Sequence, residues 1–506
     1  MTRPRCLIVW GTSSGAGKSW LTTALCRSAA RRGIDVAPFK AQNMSNNARV
    51  VPGVVPCGGA NSGALGEIGS AQYFQALAAR VAPHTDMNPV LLKPESDTAS
   101  QVVLHGVADA ALSRLPWREH SAVLAEAARA SFERLAAQHQ LIIIEGAGSP
   151  AEINLAPQDY VNLGAARWAL AAGPTAALLV SDIDRGGAFA HCYGTWALLP
   201  DDLRGLLAGF VLNRFRGDAT LLAPGPQQLQ QLTGVPLAGV LPLQRQHGLP
   251  EEDGVFDDNA SGDAAARLHV AVVALPHISN LDEFQPLRRV SGLRLSWARS
   301  VAQLEAADLV VLPGSKQVSG DLAWLRARGL DVAIQRHAAA AKPLLGVCGG
   351  LQMLGRTLDD PEGFDGAPVS GLPGLNLLPL ATHFGAVKSL RAAEVRFDEP
   401  GAPWAALRGV AAPGYQIRCG HTEADPGSAV LHDEIGQAIG WQAGSVLGVY
   451  AHGLLESPAV LKALFGALVP TLVPTPVPTL EDTFELLADL VDEHLDAALL
   501  RRLFGL

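Results

Sequence analysis

The chain has 506 residues, with 39 Lys and Arg against 48 Asp and Glu and a formal net charge of −9. That length leads us to expect at least two cores, and an acidic balance without a basic cluster excludes nucleic acid or an anionic membrane surface as the principal partner. The six cysteines, Cys6, Cys26, Cys57, Cys192, Cys348 and Cys419, form no C-x-x-C pair, no secretory leader is evident and no apolar run spans a bilayer, so they read as reduced thiols of a cytoplasmic enzyme.

Four apolar residues, Leu7 to Trp10, suit a buried strand and run into Gly11-Thr12-Ser13-Ser14-Gly15-Ala16-Gly17-Lys18-Ser19. Beyond it, Leu21, Ala24, Leu25 and Ala29 have helical spacing up to Gly33. This is the order strand, phosphate loop, helix. Glycines let successive N–H groups face a polyphosphate, Lys18 adds a point charge and the Ser19 hydroxyl can ligate Mg²⁺. Thr12, Gly15, Gly17, Lys18 and Ser19 are therefore candidate ATP contacts, although Thr12 stands where G-x-x-x-x-G-K-S has its first Gly.

A second strand, Ile34 to Phe39, leads into the polar run Lys40-Ala41-Gln42-Asn43-Met44-Ser45-Asn46-Asn47, on the sheet edge where open α/β folds bind ligands. Residues 51–66 read as a loop and Glu67 to Arg80 as a helix with Ile68, Ala71, Phe74 and Leu77 on one face. A short strand ends at Lys93, which is either a solvated strand-end charge or a contact for an anionic substrate. Ser121 to Gln138 is helical. The aliphatic strand Leu141 to Ile144 then presents Glu145 where a Mg²⁺ ligand facing the phosphate loop belongs. The strand Ala176 to Val180 ends in Ser181-Asp182-Ile183-Asp184-Arg185-Gly186-Gly187, and Gly209 to Leu212 delivers Asn213 and Arg214, placed to recognise a base or position phosphates. Val240 and Leu241 close the set, giving a first domain over 1–245 and a linker over 246–266.

The second domain, 267–468, opens with a strand at Leu268 to Leu275. Leu309 to Leu312 feeds Pro313-Gly314-Ser315-Lys316, and Pro343 to Val347 feeds Cys348-Gly349-Gly350. The latter is G-x-C-x-G, the thiol counterpart of a nucleophile elbow: a sharp strand-to-helix turn exposes the sulfur, and the helix start lowers the thiol pKa. A buried structural cysteine is the alternative. The best-framed base is His452, at the end of Val446 to Tyr450; His277, His383 and His421 are less well framed. Within 469–506, Pro470 to Pro478 reads as a stiff spacer and Leu480 to Leu506 as an amphipathic helical segment that packs back on the body.

An ATP- and Mg²⁺-binding domain joined to an activated cysteine points to glutamine-dependent amidation. The thiol releases ammonia from a carboxamide, ATP turns a carboxylate into an acyl phosphate, and ammonia displaces the phosphate. Lys18, Mg²⁺ and Lys40 would neutralise charge in that transfer.

On these motifs the chain resembles the cobyric acid synthase family, glutamine-hydrolysing amidotransferases of cobalamin biosynthesis, from about Leu7 to about Leu455. The N-terminal part is similar to dethiobiotin synthetase-like P-loop enzymes, whose loop also begins Gly-Thr, and the C-terminal part to class I glutamine amidotransferases. The fold class implied is α/β, a P-loop parallel-sheet domain followed by an amidotransferase α/β domain. The runs Phe39 to Asn47, Lys93 to Asp97, Asp182 to Gly187 and Asn213 to Asp218 resemble segments peculiar to this family. The resemblance implies Gly314 and Gly349 as oxyanion donors, Lys40 as a catalytic residue, and Asn43, Lys93, Asp182, Asp184 and Arg185 on the substrate side. It also implies amidation of the b, d, e and g carboxylates of adenosylcobyrinic acid a,c-diamide to adenosylcobyric acid, with L-glutamine as ammonia source. Many class I enzymes carry Glu two residues after the catalytic His; here that residue is Leu454, with Glu456 further on, so the reading is a Cys-His dyad with the group orienting the imidazole left open. Rival readings are cobyrinic acid a,c-diamide synthase and a regulatory P-loop ATPase with an inactive thiol domain. Homo-oligomerisation is left open.

Overall fold

A computed structural model describes residues 3–53, 64–95, 99–244, 248–249, 266–468 and 479–506. Most of the expected linker 246–266 and the spacer Pro470 to Pro478 lie outside these residues, as do Cys57 and Asp97. The described residues fall into two units: the first draws on 1–45, 51–253 and 478–506, the second on 46–50 and 254–477.

Unit 1 is organised on a six-stranded parallel sheet in the order Leu237–Pro242, Leu207–Phe215, Thr175–Asp182, Arg5–Gly11, Leu141–Glu145, Val36–Phe39. Successive strand residues point to opposite faces. Accordingly Cys6, Ile8 and Trp10 with Ile142 and Ile144 enter one apolar core, while Leu7 and Val9 with Leu141 and Ile143 enter another. Because both faces are covered, these strands are apolar throughout instead of alternating.

The second core contains the helix Lys18–Arg31 and the two C-terminal helices Leu480–His494 and Ala497–Phe504, through Phe484, Leu487, Val491, Leu500 and Leu503. The segment drawn in the sequence as a separate C-terminal piece is therefore part of unit 1. A capping box between Thr479 and Asp482 starts the longer helix. Fully buried Arg27 pairs with Glu481 (3.0 Å) and Glu485 (3.2 Å), and Arg31 and Arg32 extend the ladder to Asp489 and Asp492.

A four-stranded sheet of Gln42–Met44, Val90–Pro94, Ser100–Leu104 and Val107–Asp109 completes unit 1. The helix expected over Glu67 to Arg80 starts only at Ser70, because Leu65–Gly69 is a strand. Tertiary contacts override the helical pattern there. Gly69 N–H donates to Asn88 Oδ1 at 3.0 Å, and the Glu67 carboxylate is buried against Lys93.

Unit 2 has one extended mixed sheet. Its parallel part runs Leu293–Ala298, Leu268–Val273, Leu309–Leu312, Leu344–Val347, Val446–Val449. It continues antiparallel through Ala438–Ala443 and Ala429–Asp433 to the long strand Leu380–Phe397, which pairs with Ala411–Ala424. Among the described residues no helix is long and apolar enough to cross a membrane.

Candidate active sites of the two units

In unit 1 the strand Arg5–Gly11 ends in the loop, and the helix begins at Lys18 with Gly17 in the left-handed region at φ 103°. The Lys18 side chain folds back over Gly11, where an added Cβ would lie 3.0 Å from its Cδ and Nζ. The small residue the loop requires is thus Gly11, one position before Thr12. This explains the departure from the P-loop pattern: the loop is one residue longer, and Thr12 uses its hydroxyl to reach Ser181 Oγ at 3.1 Å. Lys18 Nζ donates to Ser13 O and Gly148 O, both at 3.0 Å, and so spans the mouth of the loop. Any side chain at Gly17 would collide with Asn213, whose amide donates to Ala16 O at 3.0 Å.

Glu145, fully buried, accepts from Ser19 Oγ (2.8 Å) and Lys40 Nζ (2.9 Å), and its other oxygen from Gln75 Nε2. The residues fit Mg²⁺. Neighbouring ligands of an octahedral ion with bonds of about 2.1 Å lie about 3 Å apart, close to the Ser19–Glu145 separation. Gln75 Oε1, buried beside them, has no hydrogen-bond partner among the described residues. At the ends of the next strands Asp182 pairs with Arg185 (3.3 Å) and Arg214 (3.1 Å). Arg185 reaches over Gly15, to 3.4 Å from an added Cβ, and Arg214 is held at φ 60°. Asp184 is engaged by Arg216 Nε at 2.7 Å.

Two residues expected near substrate pair with residues outside this cluster. Asn43 is buried and donates to Gln72 Oε1 at 3.0 Å, and Lys93 is buried with its ammonium on Glu67. Strand register puts Asn43 opposite Leu91 in the four-stranded sheet. Gln72 and Gln75 lie one helical turn apart and are both fully buried, so one helix serves Asn43 and Glu145 together. Sequence reasoning passed over them because it followed only the apolar positions of that helix.

In unit 2, Leu344–Val347 breaks sharply at Cys348, whose φ of 50° and ψ of −106° place a non-glycine residue in a costly backbone region before the short helix Gly349–Leu354. The flanking glycines are sterically required: a Cβ at Gly350 would collide with Leu312 O, and one at Gly346 would lie 2.5 Å from Leu354 Cδ1. Gly314 and Gly349 come to the same place. A Cβ at Gly314 would sit 3.3 Å from His452 Cε1, and one at Gly349 2.7 Å from the Ser315 nitrogen.

His452 Nδ1 lies 3.1 Å from Glu283 Oε1, and the Cys348 thiol, whose charge acts on the imidazole, donates to Ile417 O at 3.6 Å. The second oxygen of Glu283 accepts from Gly453 N–H at 3.3 Å. Burial on its own would lower the imidazole pKa, but the Glu283 carboxylate and the Cys348 sulfur outweigh it and push it up to about 10. The Tyr415 ring stacks on the imidazole with centroids 5.4 Å apart and an interplanar angle of 24°. The orienting group left open by the sequence is therefore Glu283, while Glu456 binds Arg49 at 2.6 Å. Glu283 is 169 residues from His452, in a turn with no motif, so no spacing could have found it. Of the other histidines, His277 pairs with Asp321 at 2.8 Å and His383 with Asp359 at 3.6 Å.

Residues 7–253 match the model of the CobQ/CobB/MinD/ParA nucleotide binding domain, and 269–460 that of the CobB/CobQ-like glutamine amidotransferase domain. Among curated relatives, the cobyric acid synthase of Methylibium petroleiphilum is 58% identical over 511 residues, covering 99% of this chain and 97% of its own. That of Leptothrix cholodnii is 60% identical over 474 residues, covering 92% and 91%. That of Variovorax paradoxus is 56% identical over 504 residues, covering 99% of each. With a nucleotide-binding loop in one unit and a Cys-His-Glu arrangement in the other, the chain belongs to the cobyric acid synthase family.

Proposed function

We propose that this chain converts adenosylcobyrinic acid a,c-diamide to adenosylcobyric acid in the cytoplasm, using ATP and L-glutamine to amidate the b, d, e and g carboxylates. The observation that carries this reading is the Cys348–His452–Glu283 arrangement, in a chain whose other unit holds a built phosphate loop. The family provides the substrate class.

In the glutaminase half, Glu283 holds Nδ1–H of His452, so Nε2 faces the thiol and takes its proton. The Cys348 sulfur attacks the glutamine carboxamide, the Gly314 and Gly349 N–H groups receive the oxyanion, and His452 returns the proton to the departing ammonia. Water then cleaves the thioester to glutamate. In the synthetase half, Thr12, Gly15, Gly17, Lys18, Ser19, Asn213 and Arg214 bind ATP, and Lys40 offsets charge as a substrate carboxylate takes the γ-phosphoryl group. Mg²⁺, held by Ser19 and Glu145, would supply neutralisation of the phosphate oxygens. Ammonia displaces phosphate from the acyl phosphate to leave the amide. Asp182, Asp184 and Arg185 lie on the substrate side of this site; Asn43 and Lys93 act from within the neighbouring sheet.

The test is the mass of the corrinoid after incubation with protein, ATP, Mg²⁺ and glutamine, beside Cys348→Ala given glutamine or ammonia. Stepwise mass loss through four amides, retained by the variant only with ammonia, is expected. Cessation after the first two carboxylates of cobyrinic acid would favour the a,c-diamide synthase reading instead. ATP hydrolysis with no glutaminase activity would leave only a P-loop ATPase.

A further inference from the structure

Behind the thiol site lies a buried charge cluster of which the mechanism above uses only Glu283. Asp282, Glu283 and Arg49 are each within 3% of complete burial. The Arg49 guanidinium is 2.5 Å from Asp282 Oδ2 and 2.6 Å from Glu456 Oε1. It also lies over the face of Tyr415, 5.0 Å from the ring centroid, and Tyr415 is the ring stacked on His452. Tyr415 Oη in turn accepts from Asn280 Nδ2 at 2.6 Å.

The backbone that carries Arg49 is built into the turn that carries Glu283. Leu281 N–H donates to Asn47 Oδ1 at 2.9 Å, and Asn280 Nδ2 donates to Ala48 O at 2.9 Å, with Asn280 itself in the left-handed region at φ 54°. The segment 46–50 belongs to unit 2 although the residues on both sides of it in the chain belong to unit 1.

We propose that Arg49 is a positioning residue of the glutaminase site: by engaging Asp282 and Glu456 it leaves Glu283 committed to His452, the imidazole that serves Cys348. The inference rests on the glutaminase reading of unit 2. Its physical basis is a charge count. Three carboxylates, Asp282, Glu283 and Glu456, meet two cations, Arg49 and the His452 imidazolium. Without the guanidinium, buried carboxylates compete for one imidazole or take up protons, since an uncompensated buried charge is costly. A guanidinium suits the task because it cannot deprotonate, and here its Nη2 reaches both Asp282 and Glu456.

The groups that share in the titration are few. Glu283 and Cys348 face His452 directly, Tyr415 covers its ring, and Asp282, Glu456 and Arg49 lie behind. Beyond the sulfur are Tyr450 and Arg418, which stack at 4.1 Å, and the His277–Asp321 pair behaves as an anchor of Ser315. Of these, only Arg49 carries a permanent positive charge among the carboxylates behind the imidazole.

The test uses the full chain as wild type, Arg49→Gln and Arg49→Lys, and follows two pH profiles. One is the rate of iodoacetamide alkylation of Cys348; the other is kcat/KM for glutamine hydrolysis. Arg49→Gln is expected to move the acid limb of both profiles upward by about one unit, the size of effect a nearby charge exerts, and to lower kcat at least tenfold with little change in KM. Arg49→Lys keeps the charge and is expected to retain the wild-type limb while losing part of kcat. An unmoved limb in Arg49→Gln overturns the proposal, however much activity is lost, because a merely structural role scales rates without moving a titration. If Arg49→Gln does not fold, Arg49→Lys decides: a limb displaced as charge is retained, or ammonia-dependent synthesis lost in proportion to glutaminase, overturns it. If wild-type protein hydrolyses no glutamine, the glutaminase reading itself falls, a result separate from any shift in alkylation.

Discussion

Glu283 gives its carboxylate to both His452 and the Gly453 N–H, so Glu283→Gln removes the charge while keeping the shape. Glutamine-dependent turnover is expected to fall by roughly 10²–10⁴-fold, as when an orienting carboxylate is neutralised elsewhere, with ammonia-dependent synthesis as the control. The same pair has a stability signature. His452 has a pKa raised from 6.5 to about 10, so its interaction contributes stability that is full below pH 6.5 and is lost as pH rises through about 10. The gap in urea midpoint between wild type and Glu283→Gln should therefore narrow over that window; a constant gap would contradict it. In unit 1 the sharpest single-residue expectation is Gly17→Ala. It places a Cβ against Asn213 at φ 103°, and should abolish measurable ATP binding in calorimetry while leaving the far-UV dichroism intact.

Among elements, the helix Leu480–His494 bears on the nucleotide site because it packs against the helix that follows the phosphate loop. Phe484 is fully buried and lies beneath the Arg27 guanidinium, 5.3 Å from its ring centroid. Phe484→Ala should cost roughly 3–5 kcal/mol in urea unfolding, the range for a large aromatic removed from a core. Arg27→Ala should cost less, about 1–3 kcal/mol, since Glu481 and Glu485 remain solvated once their partner is gone. The amphipathic period of this helix was readable in the sequence. Its destination was not: an apolar stripe states that something must cover it, and nothing in residues 480–506 specifies the helix Lys18–Arg31 and the sheet face of Leu7 and Val9 as that cover. The strand Leu65–Gly69 was missed for a related reason, since Ile68 and the residues after it fit a helical stripe until the pairing of Glu67 with Lys93 is known.

At the scale of the whole molecule, the segment 46–50 leaves unit 1 shortly after Lys40 and Asn43 and re-enters it at Val51, having anchored the Glu283 turn of unit 2. We expect glutamine hydrolysis to rise when ATP and corrinoid are both present, by roughly tenfold, within the usual range of coupling between sites. Equal rates with and without them, measured as glutamate release, would sink that expectation. The phosphate loop, Glu145, the Cys348 elbow and His452 were all legible in the sequence because each is a local device. A strand end, a glycine turn and a reactive side chain lie within a few residues of one another, and backbone sterics alone restrict what such a run can do. Glu283, Arg49 and the Gln75 contact to Glu145 were decided only by the tertiary structure. Those partners are far apart in the chain and belong to no repeat or motif. What selects them is the demand that buried charge be compensated, and that demand acts on neighbours in space.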